Sequence, residues 1–303
     1  MTNFPRREIA EIVEIAKREP SVRSVFVEGS FDKDTIERYL FSKRLDAFTS
    51  VYSIDTIYVP DELVAKLGMN PHSNKSRVVA LANEVSAACG PHASGIFCIV
   101  DADCDRELGN VREIDALCYT DFTCMEMYGF GTPELCDVFK YHFGLSFNDV
   151  REFEELMHEI LPTLFALRCC NEDLNLNSTM PAISSGFEKR GNKKLKFDSE
   201  KYVRLFIEQG GFQKRRSEIE TKFKERSDGL SGEIRNKAHG HDAVRLFYIF
   251  ASRVAALTLR EADIDSIGNR LLLGGLDFAR LDGYGLFSKL LALSLTKQEG
   301  SFG

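Results

Sequence analysis

The sequence predicts an α/β protein: a small, mainly parallel sheet flanked by helices, followed by an α-helical C-terminal region. Two observations carry this prediction. Short apolar runs alternate with helical periodicities through the first 130 residues, in the order β-α-β-α-β-β-α. Two of those runs end abruptly in acid, Val25-Phe26-Val27-Glu28-Gly29-Ser30-Phe31-Asp32 and Gly95-Ile96-Phe97-Cys98-Ile99-Val100-Asp101-Ala102-Asp103-Cys104-Asp105. Short β-branched and aromatic runs bounded by turn residues are what buried parallel strands require, and ligands of such sheets bind just beyond the strands' carboxyl ends.

Ile9, Ile12, Val13 and Ala16 recur at helical spacing over residues 6–18, and Pro20 stops that helix. The first strand spans about Val22–Val27. Asp32 or Asp34 can cap the next helix, which carries Ile36, Tyr39, Leu40 and Leu45. A second strand, Thr56-Ile57-Tyr58-Val59, ends at Pro60. Asp61–Leu67 reads as a short helix, and a polar loop then leads into a helix over Arg77–Ala88. Ile96–Val100 and Ala116–Thr120 are the remaining strands, and a helix holds Cys124, Met125 and Glu126. Beyond residue 131 the periodicity is helical, over 149–168, 199–209, 212–226, 233–259 and 284–295, with a loop at 171–198. This divides the chain into a sheet domain, 1–130, and a mainly helical region, 131–303, suited to nucleic-acid or partner contact.

Of the 303 residues, 44% are hydrophobic and 28% charged, the composition of an ordinary globular protein. The net charge of -7 gives no global pull toward nucleic acid, so any such surface is a local patch. No apolar run is long enough to span a membrane, and Met1–Glu8 turns charged without the apolar core of a signal peptide. The eight cysteines form no CxxC pair and read as free, buried thiols of a reducing compartment. A cytoplasmic protein with no membrane contact is expected.

The acids carry the chemistry. Glu28 and Asp101 follow buried strands directly, where desolvation is costly unless a cation compensates it. Asp103 and Asp105 continue the second run. Asp32 either caps a helix or contacts the same cation, and both readings stand. Asp121 and Glu126 form a further pair. Crowded carboxylates repel unless a cation lies between them, and an all-oxygen set suits Mg²⁺ or Mn²⁺. The matching chemistry is metal-assisted phosphodiester cleavage, in which Glu28 takes a proton from the nucleophile or returns one to the leaving group. Neither a GxxxxGK[ST] loop nor a glycine-rich dinucleotide fingerprint is present, which argues against ATP hydrolysis by this chain.

Residues 187–224 hold 12 Lys/Arg against 6 Asp/Glu, with clusters at Lys189-Arg190, Lys193-Lys194, Lys196 and Lys214-Arg215-Arg216. They read as a phosphate-tracking surface or as a solvated face, and an acidic partner protein would fit as well. Lys75, at a helix start where free amides favour phosphate, is a substrate contact. His239 and His241 can serve as acid/base or phosphate groups, or help begin an apolar helix.

With Val27-Glu28-Gly29-Ser30-Phe31-Asp32 and, some seventy residues on, Val100-Asp101-Ala102-Asp103, the chain resembles the TOPRIM fold of topoisomerases, primases and OLD-type nucleases. Asn74-Lys75, Asp121–Glu126 and Lys237-Ala238-His239-Gly240-His241-Asp242 make it similar to a TOPRIM-like family that accompanies ABC-type ATPases in bacterial defence. The effector nucleases of the PARIS anti-phage system belong to that family. The resemblance implies that Glu28 is the acid/base residue and that Asp101 and Asp103 are the metal ligands; from the acid pattern itself, Glu28, Asp32 and Glu126 are further candidate ligands of the same ion. Lys75, Lys193, Lys194, Arg215, Arg216, His239 and His241 are the expected substrate contacts. It implies a Mg²⁺- or Mn²⁺-dependent nuclease that cuts host RNA, tRNA foremost, and is held silent by an ABC-type ATPase subunit. No motif marks a nucleophilic tyrosine, so strand passage is not expected. Leu271–Leu273 and Leu286–Leu295 suit either core packing or a homodimer in the active state. The alternatives are a non-catalytic metal-binding subunit of the ATPase complex and a DNA-nicking enzyme.

Overall fold

A computed structural model describes residues 6–19, 21–90, 95–188, 195–253, 268 and 273–295. The fold is mixed α/β, with small parallel sheets flanked by helices. Its internal contacts divide the chain into two compact units. The first comprises Met1–Ala102, Val111–Met125 and Phe278–Gly303; the second comprises Asp103–Asn110 and Glu126–Asp277. The sequence boundary at residue 130 thus differs in three places: the last helices belong with the sheet, and both the segment after Ala102 and residues 126–130 belong with the helical unit.

In the first unit, β1 (Arg7–Glu8) leads into α1 (Ile9–Arg18), then β2 (Arg23–Val27), α2 (Ser30–Ser42), β3 (Thr49–Ser53) and β4 (Ile57–Tyr58). Next come α3 (Asp61–Lys66), α4 (Asn74–Cys89) and β5 (Ile96–Val100). A short α5 (Asp105–Leu108), which belongs to the second unit, precedes β6 (Leu117–Tyr119). The main sheet is parallel throughout, in the order β3-β2-β5-β6. All five residues of β2 and all five of β5 are buried, as central parallel strands covered on both faces must be.

Phe26, Ile96, Cys98 and Val100 share a core with Ile9, Ile12 and Ala16 of α1 and with Val78, Leu81, Ala82 and Val85 of α4. Period-two alternation turns Arg23, Val25 and Val27 to the other face. There α12 (Gly285–Leu295) is tied to the sheet, with Arg23 Nε donating to the Leu293 carbonyl (3.0 Å) and the Thr49 hydroxyl to Ser294 Oγ (3.1 Å). Leu286 and Leu290 are buried, so core packing accounts for them; Leu271 and Leu272 lie outside the described residues. Between Leu281, which ends α11 (Phe278–Leu281), and α12, Asp282 accepts from Tyr39 (2.8 Å) and Lys43 (2.5 Å).

The second strand is a correction. The sheet's edge strand is Thr49–Ser53; a 3₁₀ turn, Ile54–Thr56, interrupts the run, and Ile57–Tyr58 pairs instead with Arg7–Glu8 in a separate two-stranded ladder. The helix expected at Cys124–Glu126 is a 3₁₀ turn, Met125–Gly129.

The second unit is built on α6 (Pro133–Phe143), α7 (Phe147–Asp173), α8 (Ser199–Gln209), α9 (Arg216–Gly229) and α10 (Gly240–Arg253). The sequence reading assigned no helix to α6, although Thr132 caps it, Pro133 opens it and Gly144 (φ 67°) closes it. Helix α7 runs through Pro162 to Asp173 without a break and takes the first residues of the expected 171–198 loop. The rest of that loop holds a 3₁₀ turn, Ile183–Gly186, and a bridge between Phe187 and Phe197. An aromatic core of Phe139, Phe153, Phe247 and Phe250 joins α6, α7 and α10, with adjacent ring centroids 4.9–5.5 Å apart. No described helix is long and apolar enough to cross a membrane.

Candidate active site

Glu28 is the residue after β2, and Asp101 the residue after β5; both are half-buried. The two strands are neighbours with Phe26 opposite Cys98, and continuing that register sets Glu28 opposite Val100. The next amide, that of Asp101, donates to Glu28 Oε1 at 2.8 Å. Asp101 Oδ1 in turn accepts the Met125 amide at 2.9 Å, holding the segment that follows β6. The Ala102 amide donates to Thr120 Oγ1 (3.0 Å), whose hydroxyl donates to the Phe122 carbonyl (2.8 Å). Asn74 Nδ2 donates to the Glu28 carbonyl at 3.0 Å. Backbone amides therefore hold both carboxylates in place at the carboxyl edge of the sheet.

Asp32 is buried and its Oδ2 accepts the Gly29 amide at 3.1 Å, the capping contact at the start of α2. Lys75 is the second residue of α4, its Nζ 6.0 Å from the centre of the Tyr119 ring. Asp121 accepts the Gly285 and Leu286 amides, each at 3.0 Å, and so caps α12 from a distant stretch of chain.

The oxygen donors of Glu28 and Asp101 fit Mg²⁺ or Mn²⁺. Mg²⁺ commonly takes one or two protein carboxylates and completes its octahedron with water and substrate phosphate, so the pair meets its needs without a protein cage. Among the described residues no group of three or more His, Cys, Asp or Glu side chains is arranged to hold a metal.

Asp103, two residues past Asp101 in sequence, belongs to the second unit and adopts a left-handed backbone (φ 43°), which Asp tolerates better than most residues. There the His239-Gly240-His241-Asp242 element faces two acids. His239 Nε2 lies 3.9 Å from Asp103 Oδ1, and His241 Nε2 lies 3.8 Å from Glu126 Oε1; the imidazole centres are 5.3 Å apart. Gly240 sits so close to Glu126 that a Cβ there would lie 2.7 Å from the Glu126 Cβ. Asp242 is buried and accepts two hydrogen bonds from Arg168, both 2.7 Å, a fork-to-fork pair that fixes the start of α10. Burial works to lower the Arg168 pKa, but the Asp242 carboxylate more than offsets it and the guanidinium stays above its ordinary value. Burial, then the nearby Arg168 charge, pushes His239 below its ordinary value and favours neutral imidazole.

Next to Asp103, Cys104 Sγ lies 2.8 Å from Cys169 Sγ on α7, in an apolar setting with Phe165, Leu108 and Leu230. The hydrogen bond between these free thiols, and then burial, raises the Cys104 pKa above its ordinary value and favours the protonated thiol. Asp105 begins α5 and is half-buried.

Part of the described basic stretch is matched by local acids. Arg215 pairs with Glu218 (2.7 Å), Arg216 with Glu220 (2.8 Å) and Lys196 with Glu188 (3.1 Å). Lys193 and Lys194, with Lys189 and Arg190, lie outside the described residues.

Sequence reasoning missed Thr120 and Arg168. Thr120 left only a faint signal, a hydroxyl directly after a strand. Arg168 left a clearer one, a lone charge inside the apolar run Leu164–Cys170. No protein-family model matches the chain, and no curated protein matches it.

Proposed function

We propose that the chain is a metal-dependent endonuclease of the TOPRIM type, whose substrate is host RNA, tRNA foremost. On this reading it is the toxic effector of an anti-phage system, kept silent by an ABC-type ATPase and dimeric when active. The observation that carries the catalytic part is the juxtaposition of Glu28 and Asp101, two carboxylates at the ends of adjacent parallel strands, linked through the Asp101 amide.

Glu28 and Asp101 would hold Mg²⁺ or Mn²⁺. Bound there, such an ion would supply Lewis-acid polarisation of a phosphate oxygen and charge to offset the departing oxyanion. Glu28, oriented by the Asp101 amide, takes the proton of the attacking hydroxyl and returns one to the leaving oxygen. Lys75 offers its ammonium to a neighbouring phosphate at the start of α4.

The test is sequencing of RNA ends after expression of the wild type and of Glu28→Gln, together with cleavage of tRNA, single-stranded DNA and supercoiled plasmid by purified protein in Mg²⁺ or Mn²⁺. The amide oxygen of Gln still accepts the Asp101 amide, so the fold is kept, while cleavage falls roughly 10²- to 10⁴-fold, the usual worth of a general acid/base. Intact RNA with the wild type in either metal, or equal cutting by Glu28→Gln, removes the reading. Cutting confined to plasmid points to a nicking enzyme.

A further inference from the structure

The last turn of α6 and the first residue of α7 carry two strongly exposed aromatic rings, Tyr141 at 71% and Phe147 at 76% of full exposure. A scattered exposed ring needs no explanation, but these two share a neighbour. The Lys140 ammonium lies 4.2 Å from the centre of the Phe147 ring and 5.0 Å from that of Tyr141. Among the described residues Lys140 forms no ion pair. The group is firmly mounted. The Leu145 amide donates to the Phe139 carbonyl (3.2 Å) as the chain turns at Gly144, and Ser146 and Asp149 cap α7 reciprocally. Phe139 stacks on Phe247, and Phe143 meets the same ring edge-on.

The lysine decides what kind of partner fits. A protein partner covering the rings with apolar side chains would strip water from an ammonium and leave it without a counter-charge. Interface cores are depleted in lysine for that reason. A single-stranded nucleic acid meets both needs: its bases offer flat faces to aromatic rings, and its phosphates offer charge to the cation. Given the RNA-cleavage reading, on which this step rests, we infer that Tyr141 and Phe147 form a stacking platform for an unpaired base of the RNA substrate, with Lys140 binding the adjoining phosphate.

The experiment is fluorescence anisotropy with a labelled single-stranded RNA of about 15 nucleotides, a length within the site sizes of single-strand binders, and with tRNA. EDTA is present so that nothing is cut, and a blunt RNA duplex is the control. Base–aromatic stacking is worth about 1–3 kcal/mol per base, so a Tyr141→Ala/Phe147→Ala double variant should bind single strands roughly 5- to 150-fold more weakly. Duplex binding should be unchanged, since it exposes no unpaired base. Lys140→Gln should lower the salt dependence by about one phosphate contact, and Phe147→Trp should retain affinity. Because both rings are exposed, these variants should melt with the wild type. If the wild type binds or cuts RNA and the double variant binds single strands equally well, the platform is refuted while the nuclease reading stands. The platform is equally refuted if the double variant keeps its RNA affinity but loses self-association in light scattering, which makes the patch a protein interface. If the wild type neither binds nor cuts any RNA, the nuclease reading falls and the platform falls with it.

Discussion

Arg168 and Asp242 illustrate how one side-chain pair supports a site without joining its chemistry. The Asp242 side chain is only 4% exposed, and the two parallel hydrogen bonds from Arg168 satisfy both of its oxygens. Removing one partner of such a pair leaves a buried charge without compensation, which costs about 3–5 kcal/mol. Asp242→Ala should therefore lower the unfolding free energy from urea titration by that amount, and Arg168→Leu should do the same. Replacing both with apolar residues should recover most of the loss, because no orphan charge then remains. A double-mutant cycle read by urea titration checks this. At this scale the sequence was informative wherever an acid ended an apolar run, as at Glu28 and Asp101. It was silent on Asp242 as the partner of Arg168, because the two are 74 residues apart.

At the scale of elements, α12 depends on a residue far from it in sequence. The helix opens at Gly285, which has no side chain to serve its first amides, and Asp121 accepts two of them. Asp121, one of a pair with Glu126 in sequence terms, serves here as the cap of those two amides. Loss of a helix N-cap costs about 0.5–2 kcal/mol. Asp121→Ala should lower stability by that amount, read by thermal unfolding, and Asp121→Asn, which keeps an acceptor, should lose less. The misassigned second strand belongs to this scale too. Ile57–Tyr58 has strand composition, but its ladder partner is the N-terminal Arg7–Glu8, and only long-range pairing selects that register over the main sheet.

At the scale of the whole molecule, acid should unfold the protein partly through Asp173 and Asp282. Hydrogen bonds from Arg226 hold Asp173 below its ordinary 3.8, and the Lys43 hydrogen bond does the same for Asp282. A carboxylate depressed in the folded state binds fewer protons there than in the unfolded chain. Its contribution is complete above the unfolded value near 3.8 and is lost as pH falls through the lower native value. Asp173→Asn should thus be less stable at neutral pH, and its stability should fall less steeply between about pH 5 and pH 2. Urea midpoints collected across that range for the variant and the wild type decide it; parallel curves refute the claim.

The sequence by itself determined the α/β class, the two central strands and the acids that end them. Those features are local: strand composition, side-chain alternation and the abrupt switch from apolar to charged residues are written within a few neighbouring positions. Only the tertiary structure decided which acids have which company. It gave the Glu28 carboxylate to the Asp101 amide, Asp121 to the start of α12, Asp103 to His239 and Glu126 to His241. Each of those pairings spans 73 residues or more, and no local periodicity encodes which distant segment fills the space beside a given side chain.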